Sequence, residues 1–378
     1  MHQPSGPFQK MRRALIPARE VIAKKGKAEL LSEIEALAEK MMPGLSAAIL
    51  SYLTALADGV DLQAIADALQ SGDVGRVIGL LASVDTGAAE EAIEDAIHAA
   101  VFGGASAAAA QINGAVTGVY FQFDRLNPRL ISWLKSYHLG LIRQINDTTK
   151  EAIREKLTAG MIAGQSPITV AREVKGAIGL TARQAQAVKN YRKELEVFHT
   201  RSSAKGFNLG GKISRVYGRQ VYALGEDGLP KDGILERRLR DFRFDGQLKR
   251  AMATGKPIPP AQIDKMVAAY QRKYLRYRSE TIARTEALRT TNFGVQDAWR
   301  QAIERGKVAE PLVRRRWIVS KDERTCEVCS PIPKMNHPRG VPFDQPFKTP
   351  KGMVMLPPVH PNCRCTIYIR AWEPEQLE

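Results

Sequence analysis

The chain has 378 residues, 44% of them hydrophobic and 25% charged, a balance that excludes a disordered chain and fits a protein that buries a core. The first residues lack the apolar stretch of a secretory signal, so we expect the protein to remain in the cytoplasm where it is made. The four cysteines are then expected to be reduced thiols or metal ligands rather than disulfides, and the net charge of +16 indicates a polyanionic partner.

The N-terminal third is predicted to be helical and acidic after a short arm. Residues 1–18 contain prolines and basic residues without periodicity and are predicted to form a flexible basic arm. Across residues 19–125, as in "AELLSEIEALAEKMM", apolar residues recur at steps of three and four and predict helices with one buried face. Turn residues around Gly72 divide "DLQAIADALQSGDVGRVIGLL" into two short helices.

One uncharged stretch, residues 99–123, is long enough to span a bilayer. Its alanine, glycine, serine and amide content is only weakly apolar, because leucine-class residues are largely missing from it. We therefore interpret it as a helix buried among other helices, and we expect no stable membrane association.

The middle of the chain is predicted to contain a helical block and then a basic region. In residues 126–198, Gly164 and the pair Ser166 and Pro167 end one helix and begin the next. Residues 199–307 start with glycine-rich, alternating sequence that predicts a β-hairpin or extended loop, and they continue as long helices that end near Gly306.

Residues 308–378 are predicted to form a small module containing strands. Three pieces are strand-like, "RRRWIVS", "VMLPPV" and "CTIYIRAW", and proline-rich segments connect them. A hydrophobic core of this size is too small to keep the module folded on its own, and a structural metal would stabilise it. The overall prediction is a mainly α fold of the α+β type, with a zinc-stabilised β-containing module at its C-terminal end.

The positive charge is concentrated in residues 189–316, which contain 29 basic and 14 acidic residues. Such a segment attracts nucleic acid, and we expect non-specific binding of double-stranded DNA that weakens with salt. A solvated basic face, or a patch for an acidic protein, remains an alternative. Tyrosines at helical spacing accompany four of the basic residues; they can stack on bases but are more often core contacts. The candidate DNA-binding residues are Arg272, Lys273, Arg276, Arg278, Arg314, Arg315 and Arg316.

The cysteines form a C-x2-C pair and, about thirty residues later, an H-x2-C-x-C group. The five candidate ligands are Cys326, Cys329, His360, Cys363 and Cys365. Two thiolates separated by two residues can reach one zinc ion at about 2.3 Å, so we predict one structural zinc per chain, bound by four of the five donors. A redox pair and plain buried thiols remain alternatives. A thiolate-rich shell is usually closed, which argues against catalysis, although His337 would be the nearest spare base.

Three motifs in order resemble the phage Mu F-type head morphogenesis proteins, which are minor capsid proteins of tailed bacteriophages. They are "ARTEALRTTNFG" at 283–294, Trp317 with the following "DERTCEVC", and "PPVHPNCRCTI" at 357–367. The resemblance extends over roughly residues 130–370 and covers the five Cys and His positions. Arg284, Thr285 and Glu286 match its helical signature, and we interpret Arg284 and Glu286 as an ion pair that locks this helix to the C-terminal module.

The resemblance implies a virion component, present in few copies inside the capsid near the portal and in the host cytoplasm during assembly. Its expected partners are the portal protein, the major capsid or scaffolding protein, and packaged DNA. The resemblance implies no established reaction, so we expect that the protein is not an enzyme and that it has no catalytic residues. We further predict that the acidic N-terminal helices dock on a protein such as the portal while residues 189–316 face DNA. A metal-dependent nuclease and a zinc-stabilised DNA-binding regulator are the alternatives.

Overall fold

The computed structural model describes residues 27–115, 120–199, 214–216, 219–221, 239–320 and 325–372. It is mainly helical, with small antiparallel sheets toward its C-terminal end, which confirms the predicted fold class. The predicted arm at residues 1–18 lies outside the described residues. The chain forms two compact units, each assembled from separate stretches, and these are described in turn below.

The described residues form ten α-helices and seven short strands. The helices are α1 Lys27–Gly59, α2 Leu62–Gln70, α3 Val74–Ala82, α4 Gly87–Ala115, α5 Pro128–Ile162, α6 Pro167–Lys175, α7 Ala182–Glu196, α8 Asp245–Thr254, α9 Pro260–Glu304 and α10 Ile332–Met335. The strands are β1 Ser214–Val216, β2 Arg219–Val221, β3 Val313–Ile318, β4 Val341–Pro342, β5 Phe347–Thr349, β6 Gly352–Val354 and β7 Thr366–Ala371.

Helix ends follow the local sequence. Asp61 and Asp73 cap α2 and α3 by accepting hydrogen bonds from backbone N–H groups of the first turn, so the predicted division near Gly72 is confirmed. Gly164 takes a positive φ of 61° after α5, and α6 begins at Pro167, as predicted. Gly306, with a φ of 64°, follows the end of α9.

The first unit contains the described residues through Ile49, those of 88–140, and those from Glu280 onward. Its core includes a hydrophobic cluster to which α4, α9 and the C-terminal strands contribute. One face of α4 is buried, as expected for the uncharged stretch; residues 116–119 of that stretch lie outside the described part. The buried residues of α4 include Ile93, Ile97, Val101, Ala105, Ala108 and Ile112.

Two glycines allow α4 and α9 to approach closely within this unit. A Cβ atom at Gly104 would lie 2.2 Å from the backbone O of Thr291, and one at Gly294 would lie 2.0 Å from that of Val101. Both distances are far below van der Waals contact, so a side chain at either position would push the helices apart. Helix α9, which contains the 283–294 motif and is called the signature helix below, therefore packs with its backbone directly against the backbone of α4.

The C-terminal sheet has the strand order β4-β3-β7, and both pairings are antiparallel. In β3, the alternating residues Val313, Arg315 and Trp317 are buried, whereas their neighbours are partly exposed. A separate hairpin pairs β5 with β6. Two of the three predicted strand pieces are thus confirmed. The middle piece, "VMLPPV", is wrong beyond Val354, because β6 ends there. Its two prolines lack the N–H group that strand pairing needs.

The second unit contains 50–87 and the described residues of 141–279. Tyr191 and Tyr270 meet in its core with ring centroids 4.4 Å apart, so Tyr270 is a core contact. Strands β1 and β2 form the hairpin predicted in the glycine-rich region, with Ser214 opposite Val221. The remaining residues of that region lie outside the described part of the chain.

Within the described residues, one helical segment is long and apolar enough to cross a membrane. It runs from Glu33 to Gly59 within α1, and 39% of its most apolar window is buried inside the protein. Core helices of soluble proteins meet the same criteria, so the segment is weak evidence for a membrane role.

Candidate metal centre

Two similar turns present the candidate ligands in the first unit. In the first, the N–H groups of Cys329 and Ser330 both donate to the carbonyl O of Cys326, at 3.1 and 3.0 Å. In the second, the N–H of Cys363 donates to the carbonyl O of His360 at 3.3 Å, and Asn362 adopts a positive φ of 58°. Each turn therefore carries two donors three positions apart on the same side of a tight bend.

The two turns bring all five predicted ligands together. The Nε2 atom of His360 lies 3.0 Å from the sulfurs of both Cys326 and Cys329, and the Cys329 sulfur lies 3.6 Å from that of Cys363. The close donors form two groups that share Cys329. The first group is Cys326, Cys329 and His360, and the second is Cys329, Cys363 and Cys365. Two sulfurs bound to one tetrahedral zinc are about 3.8 Å apart, so the observed spacing fits a shared ion. All four cysteines are free thiols.

The environment of the thiols favours ionisation of some and protonation of others. A hydrogen bond from Cys365 lowers the pKa of Cys363 to about 5, although burial opposes the shift. The same hydrogen bond and burial raise the pKa of Cys365. Burial and the adjacent Cys363 raise the pKa of Cys329. Burial opposes ionisation of Cys326, but N–H groups of its turn lower its pKa overall.

The imidazole of His360 is held by its own turn. Burial disfavours its charged form, but the hydrogen bond between Nδ1 and the carbonyl O of Pro361, together with the nearby Cys363 and Cys326, raises its pKa. The contact at Nδ1 orients the ring and leaves Nε2 facing the sulfurs. This is the arrangement in which a ligating histidine is fixed by a hydrogen bond on its other nitrogen.

The signature helix α9 holds the second turn through Thr285, which belongs to the signature, and holds the start of β7 through Asn292, a residue to which sequence reasoning gave no role. The hydroxyl of Thr285 accepts a hydrogen bond from the N–H of Asn362 at 3.1 Å. The Asn292 side chain accepts from the N–H of Ile367 at 3.1 Å and donates to the carbonyl O of Cys365 at 3.4 Å. Thr285 and Asn292 are seven residues apart and share one face of the helix, a signal that was present in the motif.

The expected ion pair between Arg284 and Glu286 is wrong. Arg284 is exposed, and among the described residues no salt bridge involves it. Glu286 is buried; it accepts a hydrogen bond from the hydroxyl of Tyr137 and lies 3.7 Å from the guanidinium of Arg289. Residues two apart on a helix point in different directions, which is why the pair does not form. Trp317 is buried, with its ring centroid 5.3 Å from that of Phe347.

Two of the seven candidate DNA-binding residues are buried, and the structure corrects the prediction for them. Arg278 donates to the carbonyl O atoms of Ile145 and Gly179 and to two threonine hydroxyls, and burial lowers its pKa to about 10. Arg315 is fully buried, donates to the side chain of Gln296, and also has a pKa lowered by burial to about 10. Phosphates cannot reach either guanidinium, because each is already enclosed by acceptors.

The other five candidates remain at the surface. Arg272 and Arg276 are exposed one turn apart on α9. Lys273 is partly buried and donates to the carbonyl O of Arg240 at 2.9 Å. Arg314 and Arg316 are partly exposed on β3. DNA contact by these five residues stays a prediction.

The comparisons with known proteins agree with the motifs. Residues 244–368, roughly a third of the chain, match the family described as Phage Mu protein F like protein, which confirms the resemblance over that range and indicates a phage head morphogenesis protein. The match starts at 244, so the wider likeness expected from residue 130 onward is not covered by it. No curated protein and no solved structure matches the chain.

Proposed function

We propose that this chain is a minor capsid protein that acts in head morphogenesis of a tailed bacteriophage and has no enzymatic activity. The observation that supports the proposal is the family match over residues 244–368. That range contains all of α9, the strand with Trp317, and all five Cys and His donors. The donors and the signature part of α9 pack into one unit, so the matched motifs form one structural element rather than separate fragments.

Within this element we assign the two turns to a structural zinc. Cys326, Cys329, His360 and Cys363 are the four donors that the turns present in matching positions, and Cys365 lies behind them at the start of β7. A bound zinc would cross-link the loop before α10 to the segment that leads into β7. The residues fit such an ion because three thiols and one imidazole, which is oriented by the hydrogen bond at its Nδ1 atom, are ligand types that structural zinc prefers.

A structural role fits the surroundings better than catalysis. His337, the spare base suggested by the sequence, accepts a hydrogen bond from the backbone N–H of Arg339 at its Nδ1 atom, within its own loop. Ser320, Thr325, Asn362 and Arg364 line a small cleft beside the donors, and none of these is a general base. The thiols behind the cleft belong to the hydrophobic cluster that forms the core of the unit.

The remaining surfaces suggest the partners. We assign non-specific DNA contact to the exposed side of α9 that carries Arg272 and Arg276, since the segment 189–316 holds the surplus of positive charge. We assign docking on the portal, or on the major capsid or scaffolding protein, to the acidic N-terminal helices. These contacts would place the protein inside the capsid near the portal.

Two measurements on the full chain test the proposal. Quantitative mass spectrometry of purified virions should detect the protein in the head fraction in few copies. Its detection only in infected-cell extracts, and never in virions, would reject the capsid role. Elemental analysis of protein purified without added metal should find about one zinc per chain, and a chelator should lower the melting temperature. An unchanged melt with no metal would reject the zinc.

A further inference from the structure

An exposed phenylalanine stands out on the basic side of the second unit. Phe242, in the short 3-10 helix Phe242–Phe244 before α8, has 62% of its surface exposed. Burying an aromatic ring is among the largest favourable contributions that a side chain can make, so this exposed ring offers a large apolar contact to a ligand.

The backbone that presents Phe242 is fixed on both sides. Asp241 accepts hydrogen bonds from the backbone N–H and the guanidinium of Arg243, the latter at 2.7 Å. Arg240 donates to both carboxylate oxygens of Asp245, at 3.2 and 3.1 Å. These bonds pair residues on either side of the ring and close the turn around it. The exposure of the ring is therefore built into an ordered turn.

Two cationic side chains contact the ring of Phe242. The guanidinium carbon of Arg240 lies 4.7 Å from the ring centroid and the Nζ atom of Lys273 lies 5.8 Å from it, both within cation–π range. Arg243, adjacent in sequence, has 82% of its side chain exposed. Arg276 lies three residues after Lys273 on α9, a spacing at which Cβ atoms are about 5–6 Å apart, and the exposed Arg272 directly precedes Lys273 in sequence. Through its contact with Lys273, the ring lies beside the turn of α9 that carries the exposed Arg272 and Arg276.

We propose that Phe242 is a stacking site for an unpaired base of single-stranded nucleic acid whose backbone follows the neighbouring cations. An exposed aromatic ring beside a basic surface is the combination by which proteins hold single strands without reading their sequence. Bases inside a duplex are already stacked on both faces and cannot reach the ring. The site therefore distinguishes single strands and frayed ends from intact duplex. The inference rests on the proposed DNA contact and specifies the form of nucleic acid that this surface prefers.

Binding of labelled oligonucleotides to the full-length protein tests the site. Fluorescence anisotropy is measured with a 20-nucleotide single strand and with a blunt duplex of the same sequence, for wild type and Phe242→Ala. The substitution should weaken single-strand binding about 5- to 100-fold, the range for one base stacked on an aromatic side chain, and should leave duplex binding within about twofold. Phe242→Trp should retain single-strand affinity, and its added fluorescence should be quenched on binding.

The matched control is Met161→Ala, because Met161 is another large apolar residue of the second unit and is 65% exposed. It should leave both affinities unchanged, and circular dichroism checks that each variant is folded. If Arg272→Ala with Arg276→Ala weakens all binding while Phe242→Ala changes nothing, the stacking site is rejected and the DNA contact stands. If wild type binds neither oligonucleotide, the DNA contact and the stacking site both fail.

Discussion

Asn292 on α9 and Ile367 on β7 are joined by a hydrogen bond of 3.1 Å between the side-chain carbonyl and the backbone N–H. The same side chain donates to the carbonyl O of Cys365, so one amide satisfies a donor and an acceptor of the strand that follows the metal donors. Asn292 is fully buried. Helix α9 thereby holds the start of β7, which follows the turn that carries His360 and Cys363.

Removing this amide should loosen the C-terminal module. Asn292→Ala leaves a buried N–H and a buried carbonyl without partners, and we expect a loss of about 1–3 kcal/mol in the free energy of unfolding. Arg284→Ala, on the same helix but exposed, should change stability by less than about 0.5 kcal/mol. Urea denaturation monitored by circular dichroism measures both. Equal effects for the two variants would show that Asn292 does not hold the module.

The close contact between α4 and α9 gives a second prediction. Gly294→Ala places a methyl group 2.0 Å from the carbonyl O of Val101, so it should destabilise the protein by several kcal/mol or prevent folding. Gly140→Ala is the matched control, because Gly140 is helical and no atom lies within 4 Å of its added Cβ. That control should stabilise the helix by about 0.5–1 kcal/mol. A Gly294→Ala protein that melts like wild type would contradict the observed packing.

The sequence predicted the elements well because their signals are local. Apolar spacing and turn residues predicted the helix boundaries near Gly72, Gly164 and Gly306, and the Cys and His spacing identified all five donors that meet in space. Such signals depend on neighbours within one or two turns, and the chain contains them whatever its tertiary fold.

The sequence could not predict which charged residues would be enclosed. In the sequence, Arg278 and Arg315 lie among other basic residues. In the structure, oxygen atoms from distant segments surround each guanidinium, including one from Gly179 at Arg278 and one from Gln296 at Arg315. Only the tertiary fold brings those acceptors together. The same is true of Glu286, whose partner Tyr137 is 149 residues away.

The exposed arginines of α9 are expected to determine the salt dependence of DNA binding. Arg272→Ala combined with Arg276→Ala would remove the two proposed phosphate contacts and should reduce the slope of log K against log salt by about 2. Arg154→Ala combined with Arg183→Ala removes the same charge from exposed helical positions elsewhere in the second unit and should leave the slope nearly unchanged. Equal slopes for the two double variants would mean that total charge, and not this surface, governs binding.

Asp241 is expected to make stability depend on pH in the acid range. Its hydrogen bond with Arg243 holds the pKa of the carboxylate at about 2, below the value of about 3.9 in an unfolded chain. A depressed pKa contributes stability that is present above about pH 4 and is lost as the pH falls toward 2. The contribution should not exceed about 1 kcal/mol, because Arg243 is largely exposed.

The variant Asp241→Asn isolates this effect, since asparagine keeps the capping acceptor and loses the charge. Denaturation midpoints compared from pH 7 downward should show wild type more stable at neutral pH, with a difference that shrinks below pH 4. A difference that stays constant with pH would show that the carboxylate titrates normally.

Single substitutions of the five donors should identify the metal ligands. Cys329→Ser removes the donor that both close groups share, so it should abolish stoichiometric zinc and lower the melting temperature as far as chelation lowers that of wild type. Cys326→Ser, His360→Ala and Cys363→Ser should behave in the same way. Cys365→Ser is the matched control and should keep about one zinc per chain, because Cys365 lies outside the two turns. Zinc content by elemental analysis and thermal melts are the measurements. A Cys365→Ser protein without zinc, together with a His360→Ala protein that retains it, would instead establish four cysteines as the ligand set.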